Sequence, residues 1–187
     1  MSGQTIETRL MNKAVHYLGR YSASQHRLRE VLGRFARRKL ADMPEADVLA
    51  GIDTVVATCM RLGYVDDAMF AASQARSQRR QGRSSLAIKQ RLRLHALDDA
   101  EINTAIDAAD GDSVNAELAA AITFARRRRL GPFFTGTGDD RTRQKHMASL
   151  ARAGFAINLC KTIIDAADIE TLEAMEEDAL RDLDDDC

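Results

Sequence analysis

At 187 residues, 45% hydrophobic and 29% charged, the chain fits one large domain or a few small helical modules, and it is too apolar to be wholly disordered. Aromatics make up only 5%, Trp is missing and Pro occurs twice, so strands are disfavoured and long helical stretches are free to form. The net charge of −1 hides an asymmetry: residues 1–164 carry 26 Lys and Arg against 17 acids, whereas 165–187 carry one Arg against 11 acids. A body at +9 with a tail at −10 points to a polyanion or an acidic protein surface as partner.

The first helices follow from periodicity. Leu10, Ala14 and Leu18 recur at helical spacing and Gly19 closes the run; Ser22 with Gln25 reads as a capping box for the next helix. Leu28, Val31, Leu32 and Phe35 then form an amphipathic face. Pro44, Glu45 and Asp47 mark the first turn of a third helix, whose buried face is expected at Leu49, Ile52, Val55, Val56 and Cys59, ending near Gly63.

Beyond it the chain resembles itself. Ile106-Asp-Ala-Ala-Asp110 recurs as Ile164-Asp-Ala-Ala-Asp168, an offset of 58 that also places Leu92 on Leu150, Leu97 on Phe155 and Ile102 on Cys160. Matching apolar positions through two helices indicate duplication. Asp98 and Glu101 start the second of these helices in the earlier copy. The expected organisation is all-α: three-helix repeats at 1–63, 64–111 and 112–168, packed end to end into an elongated body, with a loop from Gly131-Pro132 to Gly138 inside the third. Residues 169–187 are expected as an acidic tail, partly disordered or a frayed helix on the weak stripe Leu172, Met175, Ala179 and Leu183. The tail reads first as a solubilising end and, as an alternative, as a tethered competitor of an anionic partner.

The motifs of catalysis and metal binding are missing. His16, His26, His95 and His146 are scattered, and neither a nucleophile elbow nor a P-loop occurs. Gly136-Thr-Gly138 follows no strand and reads as a connector. Asp66-Asp67 and Asp139-Asp140 each precede a helix and complement its N-terminal dipole. Cys59, Cys160 and Cys187 lack CxxC spacing; the first two read as core residues and the last as an exposed thiol. No catalytic site, metal or cofactor is expected. Met1 to Arg9 has no apolar signal region, and no apolar run nears the roughly 18 residues that cross a bilayer, so the expected location is the cytoplasm.

Basic residues are more informative. Arg76, Arg79, Arg80 and Arg83 fall at i, i+3, i+4, i+7, as if one helix face presented four guanidiniums. Arg141, Lys145 and Arg152 make a second stripe, and Arg27, Arg34 and Arg38 a third. Arg126-Arg-Arg-Arg129 points around a helix, so at most two of its members serve one surface. With no acid from Ala68 to Leu97, the pattern suggests a binding surface, with Arg76, Arg79, Arg80, Arg83, Arg126, Arg129, Arg141, Lys145 and Arg152 as partner or DNA contacts. The scarcity of aromatics argues against a dedicated single-strand binder.

At Leu62-Gly-Tyr-Val-Asp-Asp-Ala-Met-Phe-Ala71 the sequence resembles the signature of RecX proteins, modulators of the bacterial recombinase RecA. In physical terms Gly63 ends a helix, Tyr64 follows it, Asp66 and Asp67 start the next, and Phe70 anchors that helix in the core. Arg79-Arg-Gln-Gly-Arg83 with Leu86, Ile88 and Leu92 resembles the family's basic turn. Ser149 to Phe155, with Gly154 before Phe155, resembles its third-repeat element, and Ala14, Leu18, Ser24 and Leu28 its opening repeat. The likeness spans about 10–168; the long basic stretch from Phe35 to Glu45, Ala153 and the acidic extension depart from it.

The resemblance implies a curved rod of three tandem three-helix repeats. It also implies a regulator without chemistry of its own, which binds RecA as a nucleoprotein filament and most often inhibits it. Weak non-specific DNA contact fits the same surface. Rivals are a tandem helix-turn-helix transcription regulator reading DNA directly, for which Gln74, Gln78 and Gln81 beside the Arg76 stripe are suggestive, and a purely structural α-solenoid.

Overall fold

The computed structural model describes residues 5–111 and 115–181, and among these there are ten α-helices, one 3-10 turn and no strand. They run α1 (Ile6–Leu18), α2 (Gln25–Lys39), α3 (Glu45–Arg61), α4 (Asp67–Arg80), α5 (Ser85–Arg93), α6 (Asp99–Asp110), α7 (Ala116–Arg128), α8 (Asp140–Arg152), α9 (Ile157–Ile164) and α10 (Ile169–Arg181). The 3-10 turn Gly131–Phe133 lies between α7 and α8. The described residues divide into two compact units. One holds the residues up to Phe70 with His95–Leu97; the other holds Ala71–Leu94 and the residues from Asp98 onward.

In the first unit α1, α2 and α3 pack on one another around Leu10, Leu28, Leu32, Val55, Val56 and Cys59, none more than 2% exposed. The start of α2 differs from expectation. Ser24, not Ser22, is the N-cap, its hydroxyl accepting from Arg27 N at 3.2 Å. A cap one residue before Gln25 lets Leu28 and Leu32 face the core, and Ser24 is itself fully buried. On α3, Leu49 is 55% exposed and Val48 takes the inward position, because the helix phase set by Ile52, Val55 and Val56 turns residue 49 outward. After α3, Gly63 adopts φ +71, and the Tyr64 N–H donates back to Cys59 O at 2.8 Å.

Asp66 caps α4 through Met69 N at 2.9 Å, whereas Asp67 reaches back to accept from Gln25 N at 2.8 Å. The second carboxylate therefore satisfies the N-terminus of α2, a helix distant in sequence, rather than its own. Phe70 is buried and meets the His95 ring edge-on at 4.9 Å, while Tyr64 stays exposed.

In the second unit α5 packs on α6, α8 on α9, and α7 on α8, α9 and α10. The positions paired by the 58-residue offset are buried in both copies: Leu92 and Leu150, Leu97 and Phe155, Ile102 and Cys160, Ile106 and Ile164. Asp98 and Glu101 form the capping box at α6, and Asp139 caps α8. The region after Asp168 departs from the expected frayed end as far as it is described. Helix α10 docks on α7 with Leu172 and Ala179 fully buried, so the weak apolar stripe suffices once a complementary helix covers it. Leu183 and Cys187 lie outside the described residues.

Candidate functional site

The basic stripe on α4 is split by the fold. The helix ends at Arg80, and Gly82 at φ +73 turns the chain, so Arg83 leaves the face on which the i+7 spacing placed it. A Cβ on Gly82 would stand 2.7 Å from Phe124 N; only glycine lets this turn lie against α7. Arg76, Arg80 and Arg83 are exposed. Arg79 is not: its side chain is 9% exposed.

Every N–H of the Arg79 guanidinium is engaged inside the second unit. Nε and Nη2 donate to the two oxygens of Asp110, each at 2.6 Å; Nη1 donates to Glu117 Oε2 at 2.6 Å and to Arg83 O at 2.9 Å; Nη2 also donates to Ser85 Oγ at 2.7 Å. Burial alone would lower the Arg79 pKa, but the bonds to Asp110 and the charges of Asp110 and Glu117 outweigh it and raise the net value. Arg79 is thus a buried tie between α4, α6 and α7, removed from the candidate surface. Sequence periodicity counted guanidiniums without showing the acids that meet them.

Arg83 instead joins the Arg126–Arg129 run. Gln81, Arg83, Phe124, Arg127 and Arg128 line one concave site of about 220 Å³. Arg127 Nη1 donates to Gln81 O at 3.0 Å, and the Arg128 guanidinium lies over the Phe124 ring at 5.8 Å. No acidic side chain lines this rim, so three guanidiniums face one concavity without compensation there. Such a set binds anions with planar, multiply accepting oxygens, phosphate or carboxylate. Arg126 points elsewhere, pairing with Glu176 at 2.7 Å and Glu173 at 3.5 Å on α10. Arg129 terminates α7 in the left-handed conformation, φ 55.

The other stripes sort by neutralisation. Arg141, Lys145 and Arg152 share a face of α8, are exposed, and make no ion pair among the described residues. Between them Arg143 is committed, bidentate to Asp165 at 2.7 and 2.6 Å. On α2, Arg27 and Arg34 both approach Glu30, at 2.7 and 3.8 Å, and Arg29 pairs with Asp53. Gly154 takes φ +94 and lies so close to α5 that a Cβ would stand 2.6 Å from Ser84 Oγ. Ser84 caps α5 and donates to Ala153 O at 2.6 Å, while Phe155 meets Phe124 edge-on at 5.7 Å. These motif residues set the framework on which the basic rim stands.

Among the described residues no three His, Cys, Asp or Glu side chains gather as a metal site, and no helix is long and apolar enough to cross a membrane. The profile for the second three-helix domain of RecX matches residues 66–106, which include the Asp66-Asp67 start, the buried Arg79 and Arg83. A regulatory protein RecX from Myxococcus xanthus is 39% identical over 162 residues, covering 85% of this chain and 86% of that protein. The chain belongs to the RecX family. Another RecX, from Agrobacterium fabrum, is 27% identical over 148 residues, covering 79% of this chain and 77% of that one. Crystal structures agree on the RecX fold: a regulatory protein RecX superposes at TM-score 0.66 over 86% of this chain and 72% of that chain, at 19% identity. RecX from Lactobacillus salivarius gives 0.63 over 90% and 97%, also at 19% identity.

Proposed function

We propose that this chain regulates RecA by binding the RecA–DNA filament in the cytoplasm. Its sense is inhibitory, lowering the recombinase, ATPase and coprotease activities that serve DNA repair and the SOS response. Membership in a family of regulatory proteins supports a regulatory role. The observation that carries the physical side is the unneutralised rim of Arg83, Arg127 and Arg128. A nucleoprotein filament offers such a rim both phosphates and acidic side chains, whereas bare duplex offers phosphates alone. The exposed face Arg141, Lys145 and Arg152 supplies a second contact of the same sign. The division into repeats at 1–63, 64–111 and 112–168 belongs to this proposal as the modules that distribute contacts along the partner.

The test is binding of the full chain to RecA–DNA filaments and to naked DNA across a salt series, with RecA-dependent ATP hydrolysis read alongside. Wild type should bind filaments more tightly than bare DNA and lower hydrolysis at substoichiometric amounts. Arg83→Glu with Arg128→Glu should weaken filament binding at least tenfold, since like charge then faces an anionic partner, with the thermal melt unchanged. Equal affinity of wild type for naked duplex and filament would favour a direct DNA binder. Undiminished filament binding by the double variant would remove this rim from the interface and leave the α8 face to be tested.

A further inference from the structure

Beside the basic rim, between the C-terminal part of α4 and α5, the second unit has a groove of about 500 Å³. This is within the size that small-molecule sites occupy, roughly 300–1,000 Å³. Gln74, Gln78, Gln81 and Gln90 contribute four carboxamides, Arg83 and Arg91 contribute guanidiniums, and no acid takes part. Gln78 Nε2 is buried and has no hydrogen-bond partner within the chain. A buried amide donor without a partner is disfavoured, and because Gln78 also lines the groove, an acceptor reaching its carboxamide there would relieve that cost.

The chemistry of the lining restricts that ligand. Each carboxamide offers donors and acceptors together, whereas a carboxylate or phosphate only accepts and would leave four carbonyl oxygens unused. A nucleobase edge carries adjacent donors and acceptors in one plane and pairs with a glutamine through two bonds. Arg83 belongs to both the groove and the rim, so a phosphate held there stands at the mouth of the groove. We propose that this groove takes one unstacked nucleobase, its carboxamides reading the base edge and Arg83 or Arg91 holding the attached phosphate. The shared ligand chemistry is a nucleotide, either free or as one unit of a single strand. This goes beyond the filament reading, which needs only phosphates and acidic protein groups, and its test uses no RecA.

The experiment is fluorescence anisotropy of the full-length chain with a short single-stranded oligonucleotide, and with an abasic strand of the same length and charge, at matched salt. The base-bearing strand should bind about tenfold more tightly, the discrimination expected of one well-placed base contact. Gln78→Leu should abolish the difference while leaving abasic binding and its salt slope unchanged. Gln90→Ala, an exposed change on α5 that leaves α4 untouched, should reduce it as well, so the claim does not depend on one partly buried position. Displacement of the probe by dAMP would assign the site to free nucleotides as well as strands; displacement only by oligonucleotides would assign it to strands. Equal affinity for the two strands, or a preference that survives both substitutions, would overturn the proposal. Displacement by an Asp-rich peptide but not by nucleotides would make the groove a carboxylate site instead. Absence of binding to either strand would also refute it, while leaving the filament reading to its own RecA-based test.

Discussion

Arg79 commits all five of its N–H donors within the protein, and its two acidic partners lie on α6 and α7. Removing the guanidinium would leave Asp110, 19% exposed, and Glu117, 33% exposed, facing one another without a cation. Arg79→Ala should therefore lower stability by about 3 kcal/mol, the low end for breaking a buried pair because both acids keep some water. Arg79→Lys should recover only part of this, since an ammonium cannot form the planar two-bond fork with Asp110. Urea melts of the two variants check both statements, and a loss below about 0.5 kcal/mol for the alanine variant would reduce Arg79 to an ordinary surface residue. That the i, i+3, i+4, i+7 spacing contained this tie was hidden in the sequence, because Asp110 and Glu117 lie more than thirty positions away.

Helix α10 shows the same limit one level up. Its acids dominate the sequence, yet Leu172 is completely buried in the core that α7, α8 and α9 build. Truncation after Asp168 would uncover the α7 side of that core, and deleting a fully buried leucine side chain alone costs roughly 2–5 kcal/mol. The truncated chain should consequently melt well below the full one, against the expectation that the fold ends near Asp168. Charge is largely separable from packing: Glu173→Gln with Glu176→Gln should cost no more than about 2 kcal/mol, above the value for a fully exposed pair because Glu176 is only 15% exposed. The same variant should free Arg126 and raise affinity for single-stranded DNA, mostly at low salt. Differential scanning calorimetry and a salt-resolved binding series measure the two effects. An intact melt after truncation would mean that α10 contributes nothing to the core. The helices α2, α3 and α6 were legible beforehand from their apolar periods, although the cap of α2 lies at Ser24 rather than Ser22 and Val48 rather than Leu49 faces inward on α3.

For the whole molecule, charge balance sets the response to acid. The Asp165 carboxyl is held below its ordinary range by the hydrogen bonds from Arg143, Asp139 by Thr142, and Asp168 by Thr171. Carboxylates with folded pKa values below their unfolded ones stabilise the fold above the unfolded value, about 3.9 for aspartate, and lose that contribution as pH falls through the folded values. The melting temperature should thus hold steady from neutral pH down to about 5 and drop below about 4, and Asp165→Asn should shallow the drop. A melting temperature that rises on acidification would contradict this. The helical class, the approximate helix positions, the capping box at Asp98 and Glu101, the burial pattern shared by Ile106 and Ile164, and the family were all legible in the chain alone, because apolar periods and short motifs are local to each helix and the two copies repeat them. Which arginines are free depends on how distant helices pack. A guanidinium is neutralised by whatever acid the fold brings within about 3 Å, and for Arg79 and Arg126 those acids come from other helices. The same packing decides that Arg83 meets Arg127 and Arg128, since that convergence depends on Gly82 letting one turn lie against the backbone of α7.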